Sequence, residues 1–256
     1  MSFQYLSVEE AIPRRGMRMV VVGQVPSPWG EAAKGIFHVK RIDFVAVRLV
    51  YDNEALRSWT GDLSGPVAVY DDEPPRSGWA EILMLAERLA PSPALLPTQP
   101  QERSRALLLA EKFCGRDGLG WNRRLQLVHA GLTKSGGFNE RVAGYLGKKY
   151  GYDPAAAAVN ATRVVTLLGE FAAALRARRD AGHPYYLGEA LSAVDIYSAA
   201  FMGLFKPLPE EYCAMHPGAR AAFEWLDDAT AGALDPVLLE HRDMMYTRHL
   251  ELPLSL

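Results

Sequence analysis

Between Ala90 and Pro100 the chain reads APSPALLPTQP, with four prolines in 11 residues. Proline has no amide hydrogen and a fixed φ, so neither a helix nor a central strand runs through such a segment. The segment parts two patterns. Before it, strand-like and helix-like runs alternate; after it, every periodic stretch is helical. The spacing predicts an α/β unit over 1–91, a linker over 92–101 and an all-helical unit over 102–256.

In the first unit, Met17–Gly23 is a short apolar run rich in β-branched residues and reads as a buried strand. Pro26 and Pro28 stop it, and Ser27-Pro28 is a helix start: an N-cap residue followed by proline at the first helical position. Trp29, Ala33, Ile36 and Phe37 then share a face. Asp43–Tyr51 and Gly65–Tyr70 read as further strands, Asn53–Thr60 as a short helix. From Trp79, the spacing of Ile82, Leu85, Ala86 and Leu89 predicts another helix.

In the second unit, Arg103–Cys114, Leu125–Thr133 and Glu140–Lys149 are expected helices. A longer one opens at Asp153-Pro154 and carries Ala161, Val164, Val165, Leu168, Phe171, Ala172 and Leu175 along one stripe. The sharpest local signal is Leu191–Ile196. Ser192 caps a helix, Asp195 reaches back to its amide, and Leu191 and Ile196 form a hydrophobic staple.

Composition removes several function classes. A chain that is 49% hydrophobic and 23% charged is foldable, and its 28 basic and 30 acidic side chains leave no basic footprint for nucleic acid. The two cysteines, Cys114 and Cys213, cannot make a disulfide framework and suit a reducing compartment. The N-terminus lacks the plan of a signal peptide, and no run approaches about 18 continuous apolar residues. A cytoplasmic protein without a membrane partner is expected.

The common catalytic signatures are absent: no H-E-x-x-H, no P-loop, no G-x-S-x-G, no S-x-x-K. The histidines are scattered, so no metal site is expected. What remains is Ser27. A hydroxyl at a helix N-terminus sits beside unpaired amides and the positive end of the dipole, where a bound thiolate would be stabilised. A plain N-cap is the other reading of the same residue. Gly65-Pro66 is either a cis bond that leaves backbone free for a peptide-like ligand, or an ordinary trans turn.

Taken in order, four segments resemble the cytosolic glutathione S-transferase superfamily, in particular its bacterial-type members. Val25–Gly30 is similar to the active-site turn, with Ser27 in the place of the catalytic Ser or Cys. Gly65–Val69 is similar to the strand entered through a cis-proline. Ala80–Pro91 resembles the following helix, and Tyr186–Ile196 the capping box and staple. The resemblance spans roughly residues 17–205. It implies an α+β two-domain fold, with a thioredoxin-like N-terminal domain followed by an all-α C-terminal domain.

The same resemblance implies glutathione as co-substrate, with its sulfur facing Ser27. Trp29, Gly65, Pro66, Arg76 and Ser77 would be its binding residues, and Trp121, Arg123 and Arg124 the wall for a small hydrophobic electrophile. It further implies a homodimer and conjugation chemistry of the detoxification kind. A glutathione-dependent isomerase or dehalogenase, or a non-catalytic binding or assembly module, would share the fold. One stretch departs from the family. Where an acidic residue and a serine usually precede the third helix, this chain reads Pro75-Arg76-Ser77-Gly78-Trp79. Either Ser77 takes the serine's part with Arg76 replacing the acid, or Gly78 and Trp79 stand there. Since neither cysteine lies before residue 110, dithiol chemistry in the first unit is disfavoured.

Overall fold

A computed structural model describes residues 5–61 and 63–256. A one-turn helix α1 (Val8–Ala11) precedes strand β1 (Met17–Val21), all five residues of which are buried. The alternation of side chains along a strand sorts them between two cores. Met17, Met19 and Val21 join one cluster with Ile36, Phe37, Ile82 and Leu85, while Val20 joins Val8, Val47, Leu56 and Val67 on the other face. Arg18 falls on that second face and is kept there by carbonyls: it donates to Ile12 O at 3.1 Å and to Asp71 O.

Helix α2 (Pro28–Val39), strand β2 (Val45–Arg48), helix α3 (Glu54–Thr60), strand β3 (Val67–Tyr70) and helix α4 (Trp79–Leu89) follow. The strand order is β2-β1-β3, with β2 parallel to β1 and β3 antiparallel. Both edges are extended by single bridges. Leu6 pairs with Val47, so the residues leading into β1 add a rung beside β2; Arg76 pairs with Ala68 beside β3. The strands are shorter than their apolar runs. Beyond Val21 and Arg48 the chain turns, through Gln24 and Asp52 at positive φ.

The segment 90–99 carries no helix or strand, yet it is held firmly. Leu95 and Leu96 are buried, Leu95 O accepts the Ala193 amide at 2.9 Å, and buried Lys40 donates to Ala90 O and Pro93 O. After it come α5 (Pro100–Cys114), α6 (Leu119–Leu132), α7 (Glu140–Tyr150) and α8 (Ala157–Asp180). Then follow α9 (Ala193–Phe201), α10 (Pro217–Glu224), α11 (Asp228–Ala233) and α12 (Pro236–Arg248). α6 begins six residues before the expected Leu125, and the residues after 201 supply three helices that the apolar pattern does not announce.

All nine residues of α9 are buried, and it packs against α2, α5 and α12. It is the element through which the sheet layer and the bundle share one core. Helix 154–180 is long and apolar enough by composition to cross a membrane. Here its stripe of Val164, Leu167, Leu168, Phe171 and Leu175 faces the bundle, and Arg163 and Glu170 pair with Asp117 and Lys112.

Candidate functional site

Ser27 occupies the N-cap of α2 in extended conformation, and its carbonyl accepts the Glu31 amide at 2.8 Å. Its side chain makes no capping hydrogen bond. Pro28 has no amide hydrogen, so the first-turn donors without a helical partner are those of Trp29 and Gly30. The N-cap residue's hydroxyl and two amides without helical partners thus belong to the positive end of the helix dipole, an arrangement suited to an anion.

Gly65-Pro66 is cis. Gly65 lies beyond the last rung of the β1–β3 ladder, Val20–Val67, and presses on the end of β1: a Cβ there would meet Val20 O at 3.3 Å and Val21 Cα at 3.5 Å. The same valine supports α2, since a Cβ on Gly30 would lie 3.8 Å from both Val21 and Ser27. Ser27, Gly65 and Pro66 are thus gathered around the C-terminal end of β1.

The antiparallel bridge Ala68–Arg76, carried forward, sets Ser77 level with Val67 and Gly78 level with Pro66. Their amides are already occupied: Glu81 accepts from Ser77 N at 3.3 Å and from Gly78 N at 3.1 Å. Arg76 turns back on its own turn, donating to Pro74 O and lying 3.5 Å from Glu73, which Arg88 also pairs. Trp29 points toward the helical bundle. Its indole donates to Cys114 O at 2.9 Å, and its ring meets Phe201 edge-on.

Beside Ser27 opens a cavity of about 460 Å³ between the start of α2 and helices α6, α7 and α10. Val22, Val25, Ser27 and Pro28 form one wall; Phe138, Val142, Leu146, Leu204 and Phe223 form the apolar remainder, with Tyr51, Tyr145, Tyr150, Arg124, Asn139 and His216 as polar members. Gly65, Arg76 and Ser77 lie off this lining. Of the three expected wall residues only Arg124 reaches it. Arg123 is buried elsewhere, donating to Gln126, Leu204 O and Phe223 O, and Trp121 stacks edge-on against Tyr150. Burial pulls the Arg124 guanidinium below its usual value, opposed by the phenols of Tyr150 and Tyr51.

The tyrosines and the α10 residues could not be placed by sequence, because they come from three separate stretches with no shared motif. Among the described residues, no three His, Cys, Asp or Glu come together as metal ligands.

The architecture matches solved structures over almost its whole length. A glutathione S-transferase of Methylobacterium radiotolerans, in complex with glutathione sulfonate, superposes with TM-score 0.59 at 19% identity over 91% of each chain. One of Methylobacillus flagellatus, with GSH bound, gives TM-score 0.61 at 16% identity over 91% of this chain and 96% of that one. A third, of Xanthobacter autotrophicus, gives 0.58 at 18% over 93% and 96%. The chain has the glutathione S-transferase fold. No protein-family model and no curated protein sequence matches it, so the likeness is one of architecture. Ser192 and Asp195 form the capping box at the start of α9, and Ser27, Gly65 and Pro66 lie together near the end of β1.

Proposed function

We propose that the chain belongs to the glutathione S-transferase superfamily and is a glutathione-dependent transferase acting on a small hydrophobic electrophile. The reading is carried by one observation: Ser27 stands at a helix N-terminus, makes no side-chain capping bond and lines a largely apolar cavity. The Ser27 Oγ–H and the first-turn amides of α2 would hold a sulfur anion, lowering the thiol's pKa. Gly65, at the cis-proline, offers its backbone to the cysteinyl part of the same ligand, with Trp29 packed behind. Glutathione supplies the sulfur: its S–H proton passes to solvent, a new S–C bond forms on the electrophile, and the leaving group departs with its electron pair. The superfamily reading extends to a homodimer and to domains divided at 92–101.

Arg76 and Ser77 belong to this proposal as the glutamyl end, where Glu81 now fills the amides. That filling favours a second reading, a binding or assembly module without catalysis. Thermal-shift titration separates the two. Reduced glutathione at millimolar concentration raises the melting temperature of a transferase and leaves a module unmoved.

For the transferase, Ser27→Ala lowers kcat with a chlorodinitrobenzene about 10- to 100-fold, the worth of a hydrogen bond to a charged group. Stability changes by less than about 0.5 kcal/mol, because no cap bond is lost. Wild-type turnover in that variant would overturn the assignment of Ser27.

A further inference from the structure

The cavity beside Ser27 carries one Arg, Lys, Asp or Glu among its described lining residues, and that residue is the cation Arg124. Its environment differs from that of the buried cations among the described residues. Arg18 donates to carbonyls, Lys34 pairs with Glu31, and Lys40 with Glu87. Arg123 is held by Gln126 and three carbonyls, and Arg242 by Asp243 and Lys206 O. Arg124 has rings instead: its guanidinium lies 4.3 Å from the Trp29 centroid, 4.2 Å from Tyr150 and 5.4 Å from Trp121. Among the described residues no carboxylate stands within ion-pairing distance of it.

Aromatic faces stabilise the positive charge, but they leave the in-plane N–H donors without acceptors. A guanidinium held in this way, at the rim of an apolar space, is preorganised for an oxyanion. A carboxylate accepts two of its donors at once. Tyr51 and Tyr150, on the same lining, add hydroxyls beside it, and Phe138, Val142, Leu146 and Phe223 supply the apolar remainder. The volume, about 460 Å³, suits a molecule of one or two rings.

We propose that this cavity takes a small apolar molecule ending in a carboxylate, with its anionic end on Arg124 and its body along Phe138, Val142, Leu146 and Phe223. The inference rests on the reading of this cavity as the second-substrate site beside Ser27. It narrows that substrate from any hydrophobic electrophile to an acidic one.

The test is calorimetric titration of the full chain, without glutathione, using phenylbutyrate and naphthylacetate against their neutral amides. The wild type binds the acids at least tenfold more tightly than the amides, and the preference shrinks as salt is raised. Arg124→Met removes the preference while keeping amide affinity; Arg124→Lys retains part of it. Equal affinities in the wild type, no binding by either class, or a preference that survives Arg124→Met overturns the proposal. So does an Arg124→Met variant that loses glutathione affinity but keeps the acids. Should Arg124→Met not fold, the wild-type acid preference and its salt dependence decide alone. Glutathione titrated into the same samples reads the transferase assignment separately: glutathione binding without acid preference sinks only this inference, and the converse sinks only that assignment.

Discussion

Among the described residues three serines stand at helix N-caps, and the residue three positions on separates them. Ser7 is answered by Glu10 and Ser192 by Asp195, each in a capping box, whereas Ser27 is followed by Pro28, Trp29 and Gly30. No acid stands at that position to form a capping box, Ser27 makes no side-chain cap bond, and it lines the cavity. That difference is legible in the sequence. The cage around Arg124 is not, since Trp29, Trp121 and Tyr150 lie on three different helices. At the same scale, His249 offers a pH test. Burial, and then the charge of Arg248, hold it below the ordinary histidine value, and its Nε2 lies 2.8 Å from the Tyr185 hydroxyl. The unfolded chain therefore takes up the proton more readily than the folded one, so this group lowers stability as pH falls through about 6.5. Subtracting the stability profile of His249→Gln from that of the wild type isolates the effect. A difference that stays flat between pH 7 and 5 would contradict it.

At the scale of elements, α9 shows how far a local motif reaches once it is buried. The spacing of Ser192 and Asp195 predicts a capping box, and Asp195 Oδ2 accepts the Ser192 amide at 2.8 Å and hydroxyl at 2.7 Å. Its Oδ1 also takes the Tyr186 amide at 2.9 Å and lies 3.1 Å from His241 Nε2. One fully buried carboxylate thus ties the start of α9 to the preceding loop and to α12. Asp195→Ala leaves buried donors without acceptors and costs on the order of 3 kcal/mol, or roughly 6–12 °C in melting temperature for a chain of this size. Calorimetry checks this; a shift of a degree or less would mean that the network is not structural.

The start of α6 teaches the opposite lesson. The helix expected from Leu125 begins earlier, at Leu119: Gly118 caps it and Gly120 lies inside it. A Cβ on Gly120 would come within 2.3 Å of Phe201 Cε1 and 2.9 Å of Trp29 Cη2, so the helix sheds a side chain to admit two aromatic rings. Helix propensity could not have indicated that, because the reason lies in another part of the chain.

For the whole molecule, the proline-rich division at 90–100 marks a change of pattern rather than a flexible joint. Lys40, at the C-terminal cap of α2, pairs with Glu87 at 2.5 Å and donates to Ala90 O and Pro93 O, while α9 packs directly on α2. A core shared in this way predicts a single unfolding transition, with far-ultraviolet dichroism and tryptophan fluorescence coincident along a urea titration. Two separated midpoints would show that the sheet layer and the bundle unfold independently.

Period-two and period-3.6 apolar patterns, proline placement and capping chemistry act within a few residues. They sufficed to determine the alternating first unit, the helical second one, the start of α2 at Ser27 and the buried box at Asp195. Which side chains converge on Ser27, that Glu81 fills the amides near Pro66, and that Arg124 sits among rings without an acid were decided only by tertiary structure. Those facts depend on contacts between segments as much as 100 residues apart, such as the carbonyl of Phe223 taking up Arg123 while its neighbour Arg124 is left to the cavity. No local spacing encodes them.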